Sequence, residues 1–168
     1  MKPNGHFVME KAALTVVEAS IYESRRGLVE TNIYDLIFDD GEIMKVKSSF
    51  NVNIEEIEVT GEDENDQVAL SMNSYGVVQT FGEDREILFE CKWQLSKEPK
   101  VVISNNLILE LKAPVEYAGV GVNGYAGHNI SGQMMLEFGG FDSSGTGIYK
   151  INGEGTIHQN NGREENKG

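Results

Sequence analysis

Gln79 is the polar side chain whose spacing best suits chemistry at an apolar site. It stands in a run with Tyr75, Val77 and Phe81 at a period of two, which places the four on one face of a strand. An inward amide needs hydrogen-bond partners from the protein or from a ligand. Gln79 and Tyr75 are therefore the candidate catalytic pair, each able to donate to a carbonyl on which charge develops. Nine further residues are the candidate substrate-binding wall: Tyr34, Phe38, Phe50, Phe81, Phe89, Trp93, Met134, Phe138 and Tyr149. An apolar wall with a few polar handles is the usual makeup of a small-molecule pocket. The competing reading is that these aromatics fill the core, as they do in any fold.

Other chemistries find less support. His6, His128 and His158 lie far apart in the chain, and none has metal-ligand spacing with another His or with Cys91. Cys91 sits among apolar neighbours on an inward face and reads as a small hydrophobe. No nucleophile elbow, phosphate loop or dinucleotide fingerprint occurs. The acidic run at residues 61–67 lacks the spacing of a calcium loop and reads as a hairpin tip. The expected chemistry needs no cofactor and no metal.

Charge narrows the partners. Fourteen Lys and Arg against 27 Asp and Glu give a formal net charge of −13. Phosphate binding needs clustered basic residues, so neither nucleic acid nor an anionic membrane is expected. A single cysteine excludes an intrachain disulfide. With no signal-peptide pattern and no long apolar run, the expected location is cytoplasmic.

The elements that must hold these residues are strands. Residues 28–50 read as a hairpin around Asp39, Asp40 and Gly41, with Tyr34, Leu36 and Phe38 on one arm and Met44, Val46, Ser48 and Phe50 on the other. Beyond it, Val52 and Ile54 are even but Ile57 and Val59 are odd, a change of phase that predicts a bulge. Residues 68–72 and 75–81 read as two short strands. Residues 87–95 are the cleanest strand: Ile87, Phe89, Cys91, Trp93 and Leu95 face one way, with Leu88 out of pattern. A hairpin follows at 101–112, in which Leu107, Leu109 and Leu111 alternate with Ile108, Glu110 and Lys112. Residues 113–132 hold five Gly and weak periodicity, which predicts a long loop, wrapped around a strand at 116–122. Strands at 133–138 and within 145–158 complete the set.

The start is ambiguous. Met9, Ala12, Ala13 and Val16 suit a short helix, whereas residues 15–22 suit a strand. The expected organisation is one domain: a flexible N-terminal segment at 1–14 that is a candidate lid, an antiparallel barrel of about eight strands at 15–158, and a disordered tail at 159–168. A two-sheet sandwich is the competing all-β arrangement.

Residues 27–52, GLVETNIYDLIFDDGEIMKVKSSFNV, resemble the early hairpin of the allene oxide cyclase-like and dirigent-like barrels. GTGIY at 145–149, followed by Gly153 and Gly155, is similar to a Gly-rich motif near the end of those chains, though the spacing of its second Gly departs from the group's. Residues 74–95 are similar to their central strand pair. Within that superfamily the closest resemblance is to small bacterial barrels that close spirotetronate and spirotetramate polyketides by a [4+2] cycloaddition.

The resemblance implies a cofactor-independent cyclase acting on a polyene in a hydrophobic cavity. Such a substrate carries its own diene and dienophile, and holding it in a reactive shape can lower the barrier by up to roughly 7–11 kcal/mol. The group also implies pairing of two copies through outer faces, for which the out-of-pattern Leu88 and Ile108 are candidates. Two other classes remain open: a barrel that binds a hydrophobic small molecule without altering it, and a β-sandwich interaction protein.

Overall fold

The computed structural model describes residues 2–20, 26–62, 68–104, 107–141 and 147–160. Among these described residues ten strands form one antiparallel sheet: β1 (Gly5–Ser20), β2 (Arg26–Thr31), β3 (Tyr34–Phe38), β4 (Ile43–Glu62), β5 (Val68–Phe81), β6 (Ile87–Leu95), β7 (Lys100–Ser104), β8 (Leu107–Gly121), β9 (His128–Phe141) and β10 (Gly147–Gln159). Eight of them close a ring in the order β4-β3-β1-β10-β9-β8-β6-β5, and β5 returns to β4. The fold is all-β and barrel-like, a single ringed sheet rather than two stacked ones.

The two remaining strands complete broken staves. β2 and β3 both pair with β1 and with β4. They are two lengths of one stave, interrupted at Asn32 and Ile33. β6 and β7 likewise both pair with β5 and with β8. Counted by staves, the chain runs up and down around the ring in sequence order.

The organising hairpin is present as expected. Tyr34, Leu36, Phe38, Val46, Ser48 and Phe50 are buried, while Asp39, Asp40 and Gly41 form the turn. Gly41 has a φ of +92°, which a side chain would strain. The Asp40 carboxylate accepts a hydrogen bond from the Glu42 N–H at 2.9 Å. The expected bulge in β4 falls between Glu55 and Glu58, with Glu56 at a φ of +53°.

Three expectations are corrected. First, the segment at 1–14 is not a free lid: β1 begins at Gly5, Phe7 is wholly buried and Met9 nearly so. The register slips between Met9 and Ala12, so period two fails across that point and imitates a helix. Second, residues 113–132 are not a long loop. β8 runs to Gly121 and β9 starts at His128, joined through a single 3₁₀ turn at Asn123–Tyr125. Their alternation is faint because small residues face inward there; Gly119 lies against Cys91 and Gly121 against Tyr125. Third, 68–81 is one strand, not two. Most of the acidic run at 61–67 and of the tail at 159–168 lies outside the described residues.

Candidate functional site

The interior has two ends of different chemistry. At the end nearest the β3–β4 turn, large side chains meet: Phe7 and Phe38 lie 5.5 Å apart between ring centroids, and Phe89 and Tyr125 4.7 Å. A void of about 20 Å³ lies beside Phe7, bordered also by Tyr34, Phe50, Cys91, Tyr117 and Met134.

That void is also touched by a short polar chain. The Tyr34 and Ser48 hydroxyls share a hydrogen bond of 2.6 Å, and Ser48 Oγ lies 3.2 Å from Thr80 Oγ1. The Ser48 N–H donates to Thr31 Oγ1 at 2.8 Å. All four residues are buried, and such groups must satisfy one another.

Burial keeps these groups neutral. Loss of solvation pushes the Tyr34 hydroxyl up to about 12 and the Cys91 thiol up to about 12. It raises Tyr117 as well, whose hydroxyl donates to the Glu154 carbonyl at 3.0 Å. At neutral pH the Tyr34, Tyr117 and Cys91 side chains are therefore uncharged.

Toward the other end the inward residues become aliphatic. A cavity of about 130 Å³ is walled by Val29 of β2, Val52 and Ile54 of β4, Met72 and Ser74 of β5, and Trp93 and Leu95 of β6. Pro99, together with Leu111, Ala113 and Val115 of β8 and Leu136 of β9, completes it. Its two polar groups are already engaged with β4: Ser74 Oγ donates to the Asn53 carbonyl at 2.9 Å, and Trp93 Nε1 to the Asn51 carbonyl at 3.0 Å. Two larger hollows, about 570 and 550 Å³, are surface depressions among outward polar side chains such as Lys92, Gln94 and Gln133, or Lys47, Glu83 and Arg85. The apolar interior cavity is the candidate site, because its two polar groups are already paired and the rest of its lining is apolar.

The structure divides the sequence-based candidates. Tyr34, Phe38, Phe50, Phe89, Trp93 and Met134 face inward and are buried. Of these, Trp93 borders the larger cavity; Tyr34, Phe50 and Met134 border the small void. The backbones of Phe138 and Tyr149 pair across β9 and β10, while their side chains lie outside those described.

Gln79 and Tyr75 are corrections. Both stand on the outer face: the Gln79 amide donates to Glu90 Oε2 at 3.1 Å, and the Tyr75 hydroxyl to Glu55 Oε1 at 3.0 Å. Phe81 shares that face, half-buried, beside Ile33 and Arg85. The inward face of β5 is instead Ser74, Gly76, Val78 and Thr80. The reason is volume. Across the ladders Val78 meets Phe50, Gly76 meets Trp93 and Thr80 meets Phe89, so large neighbours demand small partners. Leu88, expected on an outer pairing surface, is buried; the Ile108 side chain lies outside those described.

What sequence reasoning missed was the aliphatic wall. The signal was present, since Val52, Ile54, Leu95 and Leu111 continue the inward alternation of their strands beyond the aromatic residues. Comparison with protein-family models, with curated proteins and with solved structures finds no match for this chain.

Proposed function

We propose that this protein binds a hydrophobic small molecule in the aliphatic end of its ringed sheet. One observation carries the reading: an interior cavity of about 130 Å³ whose walls are apolar and whose two polar groups already donate to the backbone. A cavity of roughly 150 Å³ suffices for benzene in another protein, so this one takes about six carbons. Burying that many methylenes yields about 5 kcal/mol, a Kd of roughly 0.1–1 mM. A tighter ligand must gain further contacts beyond these walls.

A second reading is cofactor-free [4+2] cyclisation of a polyene. It is supported by the resemblance of residues 27–52 and 74–95 to cyclase barrels, and by a site whose only contribution would be shape. Such a reaction requires the substrate to supply its own reacting bonds, and Gln79 has no part in it.

Titration with a neutral apolar dye, N-phenyl-1-naphthylamine, whose six-carbon phenyl ring matches the cavity while its naphthyl group stays at the mouth, tests the first reading. Saturable binding with a blue-shifted emission is expected, displaced by aliphatic alcohols. A linear, unsaturable signal overturns it. Incubation with linear polyene tetronates or tetramates then tests the second: a product of unchanged mass and altered retention, formed faster than in buffer, establishes the cyclase.

A further inference from the structure

Trp93 occupies the boundary between the two interior spaces. On the aliphatic side it borders the cavity together with Leu95, Ser74 and Val115. On the other side its ring meets Phe50 edge to face, with centroids 6.5 Å apart and an interplanar angle of 72°. Phe50 in turn borders the small void that holds the Tyr34, Ser48 and Thr80 hydroxyls.

The indole is held in place from three directions. Its N–H donates to the Asn51 carbonyl at 3.0 Å. Phe50 lies against it. Gly76, opposite on β5, leaves room for it, since a Cβ added there would overlap the Asn51 carbonyl oxygen and meet Trp93 Nε1. A ring anchored by one hydrogen bond and packed against Phe50 and Gly76 does not move aside for a ligand at small cost.

We infer that Trp93 is the floor of the cavity and sets the length of apolar chain that it accepts. This rests on the binding reading above and names its ligand class: a molecule with a short unbranched aliphatic end, about six carbons deep, entering tail first. Behind the floor lies Phe50, and beyond it the void whose hydroxyls bond one another. A smaller residue at 93 would add the volume of the lost ring to the cavity and leave Phe50 as its floor. Longer chains would then fit.

The test is competition of 1-alkanols, from butanol to decanol, against N-phenyl-1-naphthylamine. For the wild-type protein, affinity should rise about fourfold per added methylene and level off near about six carbons. In Trp93→Leu the plateau should move to alcohols longer by several carbons. Trp93→Phe, which keeps a ring, should move it by fewer and serves if the leucine variant does not fold. Leu95→Ala, which removes bulk from the same wall on the same strand, should weaken every alcohol without moving the plateau.

The failures are distinct. Wild-type protein that binds neither dye nor alkanol overturns the binding reading itself. Wild-type affinity that climbs without a plateau through decanol, or a plateau that stays put in both Trp93 variants, overturns only the role given to Trp93.

Discussion

The Trp93 indole N–H donates to the carbonyl of Asn51, two strands away across β5, at 3.0 Å. The β4–β5 register there passes from Phe50↔Val78 to Asn53↔Tyr75, and the indole reaches the strand between those pairs by lying over Gly76. A side chain thus ties three staves together at one level of the ring. Gly76→Ala should break this arrangement, because the added methyl overlaps backbone rather than a movable side-chain end. The expected cost is about 1–3 kcal/mol. At about 2–4 °C per kcal/mol for a chain this size, thermal unfolding should show a Tm lower by several degrees. Intrinsic fluorescence reports the cause separately, since displaced indole emission should shift before global unfolding.

Gln79→Ala should be close to neutral. Its amide lies on the outer face with Glu90 as partner, and exposed substitutions of this kind fall within about 0.5 kcal/mol. Dye affinity and chemical denaturation midpoint should both match the wild type. A loss of binding in this variant would return Gln79 to the site.

His6 gives the protein a titratable tie between the ends of the chain. Its Nδ1 lies 2.9 Å from Asp39 Oδ1 and its Nε2 2.8 Å from Glu154 Oε1. The hydrogen bond to Asp39, then that to Glu154, raises its pKa above the ordinary value near 6.5. A raised folded value means that the fold favours the protonated ring. The stabilisation is complete below the unfolded value and is lost as pH rises through the folded one. The stability difference between wild type and His6→Gln should therefore be larger near about pH 5.5 than near about pH 9. Urea unfolding at the two pH values measures it, and an equal difference at both would remove His6 from the linkage.

Cys91 should be inert in the folded protein. Burial pushes its thiol from 9.0 up to about 12, which lowers the thiolate fraction near pH 8 by roughly two to three orders of magnitude. Alkylation by iodoacetamide should be slow in buffer and rapid in denaturant, as mass spectrometry of the intact protein would show.

The parts of the fold legible in the sequence are those where large apolar residues alternate with charged ones. Phe89, Cys91 and Trp93 alternate with Glu90 and Lys92, and Tyr34, Leu36 and Phe38 with Asp35. Their burial follows that pattern. β5 misled because its outward Tyr75, Val77 and Phe81 are larger and more apolar than its inward Ser74, Gly76 and Thr80. Single-strand alternation carries no information on what the facing strand already fills. For the same reason most of the aromatic residues mark the packed part of the interior, whereas the space lies among smaller aliphatic residues beside Trp93. The N-terminal strand was hidden by one slipped register at Met9.

The order of the staves bears on how the ring assembles. Each stave pairs with its neighbour in the chain, apart from the ladder that joins β1 to β10, from Gly5↔Ile157 to Leu14↔Tyr149. Hairpins can zip progressively at small loop entropy, whereas this last ladder closes a loop of nearly the whole chain. Ring closure is then the slow, late step, and a circular permutant that fuses the ends beyond β1 and β10 while opening a hairpin elsewhere would convert that distant ladder into a local one and fold faster.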